Sequence, residues 1–364
     1  MRIAQIAPLF ESVPPQMYGG TERIVHFLTE ELVALGHEVT LYASGDSQTS
    51  AELVSICPRS LRLDESSIDN LAHHMVMLEK LSQERDRYDV IHFHIDYLHF
   101  LSSRLLGLPQ LTTLHGRLDI PDLQNLFDHF GDMPVVSISD AQRLPLPQAN
   151  WIGTVPHGMP LDLLEFVRDP SDYLAFVGRI SPEKRVDRAI EIAKAVGLPL
   201  KIAAKISKAD QAYFDEQIKP LLAHPLVEFV GEISEPQKGE FVGRARALLF
   251  PIDWPEPFGL VMIEAMACGT PVIAFRHGSV PEVMEDGVTG AIVSNLEQAI
   301  RATKSVHELD RCRIRREFER RFSARLMAER YVELYERACR RETSRAPQRI
   351  SGSWDVSGAV ADVG

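Results

Sequence analysis

The chain has 364 residues, 45% of them hydrophobic, 25% charged and 7% aromatic, with a net charge of −12. That length allows about two domains with sizeable cores, and the composition is that of a globular protein, not of a disordered, fibrous or membrane-embedded one. The charge is uneven: residues 1–165 hold ten Lys+Arg against twenty-two Asp+Glu, and residues 166–364 hold twenty-nine of each, which makes the first half a poor partner for nucleic acid or an anionic membrane.

The opening MRIAQIAPLF reads as a first strand, Arg2–Ala7, broken by Pro8. It lacks the apolar core and cleavage site of a signal peptide, and no apolar stretch approaches the roughly 20 residues that span a bilayer. Cys57, Cys268, Cys312 and Cys339 show no CxxC or Cys/His metal spacing, so reduced thiols in a cytoplasmic protein are expected. A helix over Thr21–Leu35 is stopped by Gly36, and Val39–Ala43, Val90–Phe93, Leu111–Leu114 and Val135–Ile138 follow as strands separated by helical stretches. After Pro156-His157-Gly158 the alternation resumes, with strands at Leu174–Val177, Leu200–Ala203, Val227–Val230, Ala247–Phe250 and Val272–Ala274. Val186–Val196 and Phe258–Ala267 are among the helices of this half. Runs such as LAFV and ALLF suit parallel strands covered on both faces, and the repeated alternation predicts an α/β fold with two right-handed, doubly wound sheets. The boundary falls near Pro160–Pro170.

A last amphipathic helix near Ser323–Arg341 offers Leu326, Tyr331, Leu334 and Tyr335 as apolar anchors. Arg311–Arg349 hold thirteen arginines against six glutamates, a basic segment expected to help hold the two domains together. From Thr343 the chain is Ser/Gly-rich without periodicity, which predicts a disordered tail.

Ligands of open α/β sheets bind at the carboxyl ends of strands, and three segments of the second half stand at such places. In LAFVGRISPEKR a strand ends at Gly178, and Ser181-Pro182 look like an N-cap and first helical position. Arg179 and Lys184 would then flank a helix start that already favours an anion such as a diphosphate; the alternative is a solvated pair of surface cations. In PIDWPEPFGLVMIEAMACGTPV, Glu256 lies in a Pro-stiffened loop before a helix beginning near Phe258, with Gly259 and Leu260 presenting N–H groups. Glu264 sits about two turns on in an apolar helix, where a carboxylate needs a partner. Vicinal ribose hydroxyls would serve, and so would an ion pair within the core. The third segment, AFRHGSVPE, is a loop that reads as supporting wall. In the first half, Tyr18-Gly19-Gly20-Thr21 permits close backbone approach, and His115 ends a strand where it either faces a cleft or is structural. His92, His94 and His99 fit no metal set and read as structural.

EPFGLVMIE at 256–264, with GRISPEK upstream and MYGGTE near the start, resembles glycosyltransferase family 4, the retaining GT-B enzymes, and the resemblance runs from Met1 to about Arg340. It implies two Rossmann-like domains with a cleft between them: 1–165 on the acceptor side, 166–322 binding the donor, a helix over 323–342 crossing back onto the first domain, and the tail 343–364. Arg179 and Lys184 would bind the diphosphate of a nucleoside-diphosphate-sugar and Glu264 its ribose. Glu256 would touch the transferred sugar, a hexose by expectation. Backbone at Phe258, Gly259, Leu260 and Val261 would line sugar and phosphate, Gly20 would approach the phosphate, and His115 would face the sugar. Lys184 is followed by Arg185 where Gly is common, and His157 stands where Asn is usual. The sequence has no Asp-x-Asp, so the two cations and a helix start are expected to stabilise the leaving group without a metal or other cofactor. The acceptor, entering through the acidic first domain, is expected to be a neutral or cationic hydroxyl compound, with no strong membrane binding and no nucleic-acid partner. An NAD-dependent oxidoreductase would need a G-x-G-x-x-G after a strand, which neither half has. A two-lobed solute-binding protein without catalysis would carry an export signal.

Overall fold

The computed structural model describes residues 1–343 except Met17, Tyr18, Glu65 and Leu108; the tail expectation for 344–364 lies outside the described residues. Thirteen strands form two sheets. The first holds β1 (Arg2–Ile6), β2 (Glu38–Ala43), β3 (Glu52–Ser55), β4 (Val90–Phe93), β5 (Gln110–Thr113), β6 (Pro134–Ser137) and β7 (Asn150–Thr154), in the order β3-β2-β1-β4-β5-β6-β7. The second holds β8 (Leu174–Arg179), β9 (Leu200–Lys205), β10 (Val227–Gly231), β11 (Ala247–Phe250), β12 (Val272–Phe275) and β13 (Gly290–Val293), in the order β10-β9-β8-β11-β12-β13. All pairings are parallel. Each sheet reverses its strand order once, between β1 and β4 and between β8 and β11, and ligand crevices of doubly wound folds open at such points.

The central strands are those that the apolar runs foretell, and VIHF and ALLF are buried throughout. The three strands that the sequence reading missed, β3, β7 and β13, are all at sheet edges. An edge strand is paired on one side only and less enclosed: β3 (ELVS) and β7 (NWIGT) mix polar with apolar residues, β7 being half-buried at every position, while β13 (GAIV) is a short apolar run opened by a glycine. Two helix starts also differ. The helix expected from Phe258 spans Leu260–Ala267, because Gly259 takes φ +80° and turns the chain just before it. Ser181-Pro182 open a single 3₁₀ turn, Pro182–Lys184, and the α-helix begins only at Val186. Between them Arg185 adopts φ +53°, a left-handed conformation that glycine reaches without strain. Its guanidinium is tied to Asp187 and Asp253, which holds the turn that a glycine would make freely.

The chain passes between the domains and returns at one crossing. Met159 N–H donates to Phe322 O (2.9 Å) and Ala324 N–H to Met159 O (2.8 Å). Gly158 is required there, since a Cβ would lie 2.3 Å from Ser323 O. The closing helix Ala324–Thr343 then lies on the first domain. Its buried face is Met327, Ala328, Tyr331, Leu334 and Tyr335; Leu326, expected among the anchors, is only half-buried. The Tyr335 hydroxyl meets Gln5 (3.0 Å) and His92 (2.7 Å), and the Tyr331 hydroxyl meets Thr113 (2.8 Å).

Two arginines before this helix bond backbone carbonyls on both sides of the 160–170 boundary. Arg311 donates to the carbonyls of Val167, Ala245 and Gly243, and Arg315 to those of Leu161, Leu164 and Ala267. These carbonyls lie in loops and at two helix ends and accept no backbone bond among the described residues, and a guanidinium satisfies several at once. Docking of the closing helix therefore rests on its apolar and tyrosine face.

Removal of 323–364 should yield an insoluble or strongly destabilised protein, because Gln5, His92 and Thr113 lose their hydroxyl partners and an apolar face is bared. Removal of 344–364 leaves every contact above in place and should keep the melting temperature. Thermal unfolding of the two truncations, followed by circular dichroism, decides it; equal behaviour would refute the docking account.

Candidate active site

The carboxyl edges of the two sheets border one cleft of ≈ 840 Å³, and residues of both halves line it. Two helix N-termini approach each other there. Gly20 opens the helix Gly20–Ala34 of the first domain, and a Cβ on it would meet only Leu260 Cδ1, at 3.7 Å. Leu260 opens the short helix of the second domain. Each start leaves backbone N–H groups unpaired and carries the positive end of a helix dipole, so the space between them favours an anion. Tyr18, beside these glycines, lies outside the described residues.

Glu264 is 2% exposed. Its Oε1 accepts from Arg23 Nη1 (2.7 Å) and Lys238 Nζ (3.1 Å). Burial alone would raise its pKa, but the charges of Lys238 and Arg23 outweigh that and hold it at about 2. The ion pair that the sequence allowed is therefore present, and the carboxylate still lines the cleft. Arg23 comes from the first domain and also bonds Glu235 (2.7 Å), so this cluster spans the cleft. Sequence reasoning missed Arg23 and Lys238. The available signal was an arginine three residues after Gly20, on the first turn of its helix.

Arg179 is the last residue of β8, with Nη2 donating to Glu183 (2.5 Å) and the buried Nε ion-paired with Asp210 at 3.5 Å. Lys184 Nζ donates to Glu256 Oε2 (2.5 Å) and lies over the Trp254 ring at 4.8 Å. Trp254 Nε1–H donates to the same oxygen (3.1 Å). Thus Lys184 and Glu256, expected to act on different parts of a ligand, form one pair. The third segment acts as the wall foreseen. Gly278, at φ +52°, packs directly on the Glu256 backbone, where a Cβ would stand 2.3 Å from Glu256 O. Ser279 N–H donates to that same oxygen and its hydroxyl to Phe258 O. Phe258 is buried against His157 and Phe322, which leaves its backbone and that of Gly259, Leu260 and Val261 toward the cleft.

Buried hydrogen bonds settle the state of His115. Gln5 Nε2 donates to the Tyr335 hydroxyl, so its Oε1 accepts from His94 Nε2–H (2.8 Å). His94 is neutral, its pKa driven far down by burial and then by the neighbouring histidines, so its Nδ1 must accept from His115 Nε2–H (2.9 Å). Burial drives the His115 pKa to about 3. Its Nδ1 is therefore a buried lone pair without a partner among the described residues, in a residue that lines the cleft. A buried acceptor of this kind calls for a hydroxyl or amide donor. His157, where Asn is usual in the resembling family, stacks on His115 (5.3 Å, 17°) and meets Phe258 edge-on, joining the domains. His92 and His99 bond Tyr335, Thr113, Ser103 and Thr112, the structural roles read from sequence.

Glu264 is ionised in the folded state down to about pH 2, against an ordinary value of 4.5. Its stabilising contribution is complete above pH 4.5 and is lost as pH falls toward 2. Glu264→Gln should therefore flatten the fall of melting temperature over that window. Identical slopes in calorimetric scans of the two proteins would count against the cluster.

Residues 165–324 match the model of glycosyl transferases group 1, and residues 18–146 that of Glycosyltransferase Family 4. A D-inositol 3-phosphate glycosyltransferase of Mycobacterium avium (strain 104) is 37% identical over 143 residues, which are 38% of this chain and 31% of that protein; the match thus spans under a third of that relative's length. Among solved structures, a glycosyltransferase involved in avilamycin A biosynthesis superposes with TM-score 0.72 at 24% identity, over 93% of this chain and 98% of that one. Anabaena HepE, in complex with UDP and glucose, superposes with TM-score 0.70 at 19% identity, over 93% and 100% of the chains. With both halves matched, a cleft at the two strand-order reversals and a closing helix that returns, the chain belongs to glycosyltransferase family 4 and has the GT-B fold.

Proposed function

We propose that the protein moves a sugar from a nucleoside-diphosphate-sugar to a hydroxyl acceptor, with retention at the anomeric carbon and without a metal. The observation that carries this is the meeting of two helix N-termini in one cleft with Glu264 two turns behind. A diphosphate fits between the helix starts of Gly20 and Leu260, and Arg179 lies on the same wall. Lys184 would then be shared between Glu256 and phosphate. Glu264 has committed only its Oε1 among the described residues, and a carboxylate can accept further bonds from ribose hydroxyls. HepE, which has the same fold, was solved with UDP and with UDP-glucose, in keeping with such a donor.

Departure of the nucleoside diphosphate develops negative charge on its oxygen. Arg179, Lys184 and the N–H groups of Gly259, Leu260 and Val261 are fixed positive groups at that place, and preorganised groups of this kind stabilise a leaving anion. Glu256, the carboxylate assigned to the transferred sugar, is bonded to Lys184 and Trp254, which argues against its acting as a nucleophile. The acceptor hydroxyl therefore attacks on the face that the phosphate leaves, and its proton passes to the departing phosphate oxygen. The His115 lone pair accepts from a hydroxyl of the transferred sugar. Because that imidazole stays neutral down to about pH 3, it orients and does not titrate during turnover at neutral pH.

Thermal-shift measurements against UDP-, GDP- and ADP-sugars, followed by assay of nucleotide release, test the reading. A ligand at about 100 times its dissociation constant adds about 2.7 kcal/mol. Glu264→Ala should weaken nucleotide binding roughly ten- to hundredfold, the worth of a charged hydrogen bond. Arg179→Ala and Lys184→Ala should each cut turnover while EDTA and Mg²⁺ change little. Activity lost in EDTA and restored by metal would overturn the metal-free mechanism.

A further inference from the structure

The first-domain wall of the cleft carries groups that the donor leaves unused. Beyond β4 the chain turns through Ile95–Leu98, closed by Leu98 N–H to Ile95 O (3.3 Å). Within this turn Asp96 has φ +50°, a left-handed conformation that costs a non-glycine residue about 1 kcal/mol or more, and such residues gather at functional sites. Its carboxyl opens on the cleft and makes no hydrogen bond or ion pair with any described residue. The residue is exposed to solvent at the cleft. Beside it Phe10 and Tyr97 expose their rings, 39% and 46% accessible, and Leu71 is 54% accessible; all three border the same cleft. The arginines of this wall are committed: Arg62 to Glu11, Arg117 to Asp119, Arg23 to Glu264 and Glu235.

The wall thus combines an uncommitted carboxylate, exposed aromatic faces and arginines already neutralised. A carboxylate accepts paired hydrogen bonds from neighbouring hydroxyls, and an aromatic ring covers the apolar C–H face of a saturated ring. A phosphorylated or carboxylated acceptor would meet a like charge. We propose that Asp96 is the acceptor-binding residue and that the acceptor is an uncharged polyhydroxylated ring, such as a sugar or cyclitol, seated on Phe10 and Tyr97. This rests on the glycosyl-transfer reading above. In the step it serves, the bond from anomeric carbon to phosphate oxygen breaks, the bond to the acceptor oxygen forms, and the acceptor proton goes to the departing phosphate. Asp96 holds neighbouring hydroxyls of the acceptor and stays ionised throughout.

The test uses the full chain with whichever sugar nucleotide stabilises it. Transfer is measured to methyl glucoside, maltose and myo-inositol, and to glucose 1-phosphate and myo-inositol 3-phosphate. At least one neutral compound should be used, with kcat/KM about tenfold or more above the phosphorylated ones. Asp96→Asn, which tolerates a positive φ, should raise the acceptor KM about tenfold or more. Nucleotide affinity should not change, and Asp96→Glu should recover part of the loss. Preference for the phosphorylated compounds, transfer to no neutral compound, or an unchanged acceptor KM in Asp96→Asn would overturn the assignment while leaving donor binding intact. Failure to bind any sugar nucleotide would instead overturn the transfer reading itself, and this inference with it.

Discussion

A carboxylate buried on an apolar helix cannot stand without countercharge, and the second domain supplies only part of what Glu264 requires. Lys238 lies on its own side of the cleft, but the shorter bond comes from Arg23, which the first domain carries across the gap. Removing one partner of a buried pair leaves an uncompensated charge and is strongly destabilising. The need of one side chain therefore helps to set the distance between two sheets. That distance brings the helix start of Gly20 to Leu260, so the anion site and the domain contact are one construction.

The chain passage between the domains supports the same geometry from behind. Met159 and Ser323 form an isolated parallel bridge, and Gly158 lets the backbones approach. An apolar core runs without a break from the first sheet through Met159, Phe258 and Phe322 to the second. The closing helix adds a polar thread. From Tyr335 it passes to Gln5, then His94, then His115. Each link fixes the donor and acceptor sense of the next, so a hydroxyl on the last helix dictates that a nitrogen of His115 is a lone pair. Buried polar networks rigidify a site when every member is satisfied, and here the one open position is on a residue that lines the cleft.

The two walls of the cleft differ in kind. On the donor side, cations and helix starts gather around space suited to a diphosphate, with Lys184 and Arg179 each resting on a carboxylate. Such internal pairs hold long side chains in place and limit the ordering a ligand must impose. On the other wall, aromatic surface and an uncommitted carboxylate suit a neutral hydroxylated ring.

The sequence alone determined the two doubly wound sheets, the central strands and the candidate donor residues, because runs buried on both faces must be continuously apolar and because the motif segments fall at strand ends. It could not show β3, β7 and β13, whose edge positions relax that demand, nor the true helix starts at Leu260 and Val186, which depend on the left-handed turns of Gly259 and Arg185. Glu264 was legible as a carboxylate needing a partner. That the partner is Arg23, 241 positions away, is a fact of tertiary packing. So are the pairing of Lys184 with Glu256, the commitment of the late arginines to backbone carbonyls, and the lone pair on His115. Pattern in a chain reports which side chains must be buried; only the folded arrangement decides which groups from distant segments meet, and hydrogen bonds and ion pairs act over a few ångströms.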